Sequence, residues 1–177
     1  GENFFYMLYH NEPGGVAEAE YDADPRGLIS RLYLSPRGPR EPATITDSHR
    51  SAGGWIGRLG AAKALPIWLR QEDLDYVVSQ FENAGFRGGL NYYRNFHRNW
   101  EITEHLEGAT IKVPVLFIAG SRDSVIAGAD EERLTATISR ATEDLRDVVL
   151  IPEIGHWVQQ EAPAETNAAM MEFLNSL

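Results

Sequence analysis

Two apolar runs, each followed closely by a titratable side chain, constrain this chain more than any other feature. The first is Val113-Pro-Val-Leu-Phe-Ile-Ala-Gly120, with Asp123 just beyond it; the second is Asp147-Val-Val-Leu-Ile-Pro152, with His156 just beyond it. A short, continuously apolar run reads as a parallel strand covered on both faces. Parallel strands joined by a helix bring their C-terminal ends to one sheet edge, where ligands bind in open α/β sheets. Asp123 and His156 are therefore expected to meet there. An acid followed by a histidine, each after its own strand, is the second half of a nucleophile, acid and histidine series. The nucleophile is absent: no Gly-x-Ser-x-Gly or Gly-x-Asp-x-Gly sequence occurs.

The elements around these runs place the chain in the α/β class. A helix around Ala129–Thr142, with Leu134 and Ile138 inward, separates strand Val113–Gly120 from strand Val148–Pro152. A last helix opens at Pro163 and carries Met170, Phe173, Leu174 and Leu177 at helical spacing. This is the end of a doubly wound sheet. Two parallel strands cannot cover these helices, so the chain is expected to be the C-terminal piece of something larger.

Upstream of about Trp100 the sequence reads as helices and loops. Asp24-Pro25 suits the N-cap and first position of a helix bearing Leu28, Ile29 and Leu32. Residues 35–60, rich in Pro and Gly and holding Pro36 and Arg37, lack periodicity and read as a long irregular excursion. Glu72, Asp73 and Asp75 open a helix whose Leu74, Val77, Val78 and Phe81 keep helical spacing up to Gly85. A further helix is expected from Leu90 to Trp100, with Leu90, Tyr93, Phe96 and Trp100 on one side. The organisation is thus a mainly helical part over 1–105 and a strand–helix series over 106–177.

A formal charge of −10 with scattered basic residues argues against nucleic acid as a partner. The absence of cysteine removes disulfides and thiolate metal sites and fits a reducing cytoplasm. No apolar run approaches the roughly 20 residues of a membrane span, and no signal peptide is read at the start. His10, His49 and His97 lack the paired spacing of a metal site and read as solvated or core histidines. The acidic run Glu18, Glu20, Asp22, Asp24 lacks the glycine and terminal glutamate of a calcium loop and reads as a solvated face.

Several ordered motifs give a more specific likeness. Phe4-Phe-Tyr-Met-Leu-Tyr-His-Asn-Glu-Pro-Gly14, Leu90-Asn-Tyr-Tyr-Arg-Asn95, Arg98-Asn-Trp-Glu101, Leu116-Phe-Ile-Ala-Gly-Ser-Arg-Asp123 and Gly155-His-Trp-Val-Gln-Gln-Glu-Ala-Pro163 resemble the cap and C-terminal half of soluble epoxide hydrolases of the α/β-hydrolase fold. The resemblance covers nearly the whole chain and is weakest over 35–65. It implies a helical cap over 1–105 and the C-terminal part of the core over 106–177. The N-terminal half, with a nucleophilic aspartate, would lie outside this chain, on a separate chain or a missing segment.

The resemblance also implies roles. Tyr6 and Tyr93 would donate hydrogen bonds to the oxygen of an opening epoxide, a task suited to phenols that stay protonated at neutral pH. The absent aspartate would form a covalent ester. His156, oriented by Asp123, would activate the water that cleaves it, giving a vicinal diol. From spacing alone Tyr6 and Tyr93 read as core aromatics; Tyr9 and Tyr92 are neighbours without a role. Phe4, Met7, Val125 and Trp157 are expected to line an apolar pocket for a small epoxide, with water as co-substrate and no metal or organic cofactor. A detoxifying, cytoplasmic enzyme, without membrane attachment and open to homo-oligomer formation, completes the expectation. The alternatives are a haloalkane or haloacetate dehalogenase of the same fold, which needs halide-binding groups instead of the tyrosine pair, and a non-catalytic fragment acting as a binding module.

Overall fold

The computed structural model describes residues 2–33, 38–126 and 128–177. Pro36 and Arg37 lie outside the described residues. The chain forms two compact units, Gly1–His105 and Leu106–Leu177.

Among its described residues the first unit is helical. Helices α1 (Tyr6–His10), α2 (Val16–Ala23), α3 (Pro25–Leu32) and α4 (Gln71–Ala84) are followed by α5 (Arg87–Arg94) and α6 (Phe96–Ile102). Asp24 caps α3 by accepting from Gly27 N at 2.8 Å, and Pro25 takes the first helical position, where its missing N–H costs nothing. Gly85 ends α4 at φ +69°, a conformation glycine adopts without strain. Tyr9, Ala17, Tyr21, Leu28, Ile29, Leu74, Val78 and Leu90 form the core. The excursion after α3 is irregular, with two 3-10 turns at Arg50–Ala52 and Ile56–Arg58.

Two expectations need correction here. The helix expected from Leu90 to Trp100 is two helices, broken at Asn95, and Phe96 and Trp100 are exposed rather than sharing a buried stripe with Leu90. Asn95 Nδ2 donates to the Asn91 carbonyl at 2.8 Å, and asparagine that bonds local backbone in this way competes with the helical ladder. The acidic run is solvated only in part: Asp22 and Asp24 are exposed and Glu18 and Glu20 half-buried, and all four carboxylates have partners. Glu18 pairs with Arg94, Glu20 accepts from Trp55 N at 2.9 Å and Ile56 N at 3.0 Å, Asp22 accepts from Phe86 N at 2.9 Å, and Asp24 caps α3. Each carboxylate pins a different segment onto α2 or its end.

The second unit pairs two parallel strands, β1 (Val115–Gly120) and β2 (Leu145–Ile151), with Leu116 opposite Asp147 and Gly120 opposite Ile151. Between them runs α7 (Glu131–Ile138), capped by Asp130, and after them come α8 (Val158–Glu161) and α9 (Pro163–Asn175). Strand β1 starts at Val115, not Val113, because Pro114 has no N–H to give the ladder. Strand β2 is longer than expected at its start. Helix α7 stops at Ile138 because the chain then bends into a parallel bridge between Thr142 and Ile111. Within this unit the strands are only partly covered: Ala119, Val148 and Ile151 are buried, whereas Met170 and Leu174 of α9 and Leu177 after it stay exposed.

Candidate active site

Strand β1 ends at Gly120 for a steric reason. A Cβ there would stand 2.2 Å from the Gly155 carbonyl oxygen and 2.3 Å from that of Ile154, so only glycine lets the two loops after the strands touch. They are then stitched together. Ser121 N donates to Ile151 O at 2.9 Å, Arg122 N to Ile154 O at 2.8 Å, and Glu153 N to Ser121 Oγ at 2.9 Å. Glu153 adopts φ +65°, the tight reversal that sends the chain back toward β1. Glu161 of α8 accepts from both Gly155 N (2.9 Å) and Trp157 N (3.0 Å), fixing the backbone on either side of His156.

This stitching brings Asp123 and His156 together. His156 Nδ1 lies 2.9 Å from Asp123 Oδ2, a donor bond to the carboxylate. The other carboxylate oxygen accepts from Val125 N at 2.8 Å, so the acid is held at both oxygens. Asp123 retains 11% of its side-chain exposure and His156 54%. The ring of Trp157 stands 5.1 Å from that of His156, and Val125 is exposed.

In the first unit Tyr6 and Tyr93 meet edge to face, their ring centroids 6.0 Å apart at 84°. Tyr6 also stacks on Trp55 at 5.0 Å and 11°. Trp55 is held there by the Glu20 carboxylate, which binds its backbone N–H. Burial, then the nearby Tyr6 and Tyr92, pushes the Tyr93 phenol up, so it stays protonated at neutral pH. Phe4 is engaged in packing, with the Arg58 guanidinium 4.3 Å from its ring centre and Tyr9 beside it, and Met7 is half-buried on α1. A cavity of about 460 Å³ in this unit lies elsewhere, lined by Glu12, Glu18, Arg87 and Arg94 among others. No cluster of metal-binding side chains occurs among the described residues.

The comparisons with known proteins agree along the chain. It is 45% identical over 178 residues to epoxide hydrolase A of Mycobacterium tuberculosis, covering 100% of this chain and 54% of that protein. It is 35% identical to epoxide hydrolase 1 of Siraitia grosvenorii, covering 96% of this chain and 52% of that protein. The crystal structure of epoxide hydrolase A from Mycobacterium thermoresistibile superposes with a TM-score of 0.79 at 43% identity, over 99% of this chain and 53% of that one. The chain is a homologue of the epoxide hydrolases of the α/β-hydrolase fold. It spans about half the length of the epoxide hydrolases it matches. No family model matches it.

Three groups that shape these sites escape a reading of the sequence. Glu20 looks like one carboxylate in an acidic run, and only its two distant N–H partners reveal that it places Trp55 on Tyr6. Glu161 is five residues past His156, and its spacing from Gly155 and Trp157 is the one available hint. His10 reads as an ordinary core histidine, yet its ring contacts both Tyr6 and Tyr93.

Proposed function

We propose that this chain supplies the proton-handling groups of an epoxide hydrolase, which adds water to a small apolar epoxide and releases a vicinal diol. Tyr6 and Tyr93 donate hydrogen bonds to the epoxide oxygen as a carboxylate attacks ring carbon. The C–O bond breaks as one of the two phenols passes its proton to the oxygen, leaving a hydroxyalkyl ester and a phenolate. That carboxylate belongs to an N-terminal half of the fold outside this chain, for which the helical unit 1–105 serves as cap and 106–177 as the end of the core. His156 then removes a proton from water through Nε2, while Asp123 keeps the proton on Nδ1 and stabilises the imidazolium. The hydroxide formed attacks the ester carbonyl, the ester C–O bond breaks as the imidazolium gives its proton to the departing diol oxygen, and the carboxylic acid left behind returns its proton to the phenolate, restoring carboxylate and phenol.

The Tyr6–Tyr93 pair carries this reading, since two phenols at 6.0 Å between ring centroids are hydrogen-bond donors to an alkoxide. Further support comes from the relatives' names and from the 2.9 Å Asp123–His156 bond. A dehalogenase shares the acid and histidine but would bind halide with other groups. A cysteine-free composition accords with a reducing cytoplasm. The test is a paired assay of the complete protein: diol formation from styrene oxide-type substrates beside halide release from haloalkanes. Diol without halide is expected; halide without diol would overturn the proposal.

A further inference from the structure

We propose that His10 is a positioning residue for ring opening: wedged against the rings of Tyr6 and Tyr93 and tied to Tyr21, it sets the stance of the two phenols. The inference rests on the roles proposed above for those tyrosines. His10 lies one turn after Tyr6 on α1 and is 3% exposed. Its ring centroid is 4.5 Å from that of Tyr93, 5.5 Å from that of Tyr6 and 5.4 Å from that of Trp55. Its Nε2 is 2.9 Å from the hydroxyl of Tyr21, a side chain of α2 that is 1% exposed. The backbone is held as well. Arg94, next to Tyr93, donates from Nε to the His10 carbonyl at 3.1 Å and grips Glu18 of α2 with both terminal nitrogens. Three helices therefore converge on this one residue.

The choice of imidazole is informative. His10 Nδ1 is buried and has no hydrogen-bond partner, a cost that a phenylalanine would avoid. What a phenylalanine could not do is satisfy the Tyr21 hydroxyl, which fixes the imidazole about its own ring axis. Burial and then Arg94, opposed by Glu18, push the His10 pKa down to about 4, so the ring at neutral pH is an uncharged spacer.

Single-turnover kinetics of the complete enzyme separate this role from general packing, because ring opening and ester hydrolysis are read as separate steps. His10→Ala should slow ring opening about 10- to 100-fold, the usual penalty for misplaced catalytic groups, and leave ester hydrolysis within about 2-fold. His10→Phe, which strands the Tyr21 hydroxyl, should fall between. The double variant His10→Phe/Tyr21→Phe removes both polar partners together and should return to within about 3-fold of wild type. Equal slowing of both steps by His10→Ala, or a double variant no faster than His10→Phe, would overturn the proposal. If His10→Ala does not fold, the comparison of His10→Phe with the double variant decides alone. Tyr6→Phe and Tyr93→Phe in the same assay separate the two claims. Slow tyrosine variants beside an unaffected His10→Ala would sink this inference only, whereas tyrosine variants of normal speed would sink the function it rests on.

Discussion

The tyrosines of the first unit and the Asp123–His156 pair of the second are held by opposite means. Tyr6 and Tyr93 stand among rings and are placed by side chains: Trp55 stacked on one face, His10 against both, and carboxylates of α2 reaching across to pin the segments that carry them. Asp123 and His156 sit in exposed loops placed by backbone: a glycine contact, main-chain hydrogen bonds between the loops, and a glutamate gripping N–H groups. The half-buried Tyr93 phenol remains a donor because burial favours its neutral form. In the proposed reaction His156 gains and loses a proton and meets water, a task served by its exposure and by the acid at its back. Perturbing one unit should therefore affect one chemical step.

The largest break in the comparison comes from the phenols themselves. Tyr6→Phe or Tyr93→Phe should each slow ring opening roughly 10²- to 10³-fold, as for loss of one oxyanion donor, with ester hydrolysis unchanged in single-turnover measurements. Equal slowing of both steps would collapse the distinction between units. Next is Gly120→Ala. Its methyl group would meet two carbonyl oxygens of the neighbouring loop, costing about 3 kcal/mol or more and parting Asp123 from His156. Ester hydrolysis should fall while ring opening persists; a crystal structure with the 2.9 Å bond intact would refute this account of the loop contact.

A smaller effect depends on pH. His10 titrates at about 4 in the folded unit against 6.5 ordinarily. As pH falls the unfolded chain takes up this proton first, so the contribution is complete above about pH 6.5 and is lost toward pH 4, at most about 3 kcal/mol. Melting curves of wild type and the His10→Phe/Tyr21→Phe variant across that range should differ in acid slope, and parallel slopes would contradict the assignment. Smallest is Glu20→Gln, which leaves one of the Trp55 and Ile56 N–H groups facing an amide NH₂ and should cost about 1–2 kcal/mol of stability. Fluorescence of Trp55 should shift with it; an unchanged melting temperature and spectrum would show that the loop is anchored elsewhere.

Legibility in the sequence follows the same division. The strand runs, Pro163, Gly85 and Asp24 act locally, through periodicity, φ and capping, and each takes its expected part in the structure. The boundaries at Asn95, Val115 and Ile138 shift because a side chain or proline competes with the ladder, or a distant strand recruits the backbone. The roles of Glu20, Glu161 and His10 were illegible for a physical reason: their partners are fixed by tertiary packing, and nothing in an acidic run or a lone histidine states which N–H or ring it will meet. Asp123 and His156 were legible because parallel topology puts the strand ends on one edge, while the glycine contact and loop bonds that join them were not.

The most direct test of the division is His156→Gln in the complete enzyme, mixed with excess epoxide and followed by intact-protein mass spectrometry. Ring opening without hydrolysis predicts a protein heavier by the mass of one substrate molecule, accumulating to one equivalent with almost no diol. Diol formed at the wild-type rate, or no adduct at all, would contradict the account.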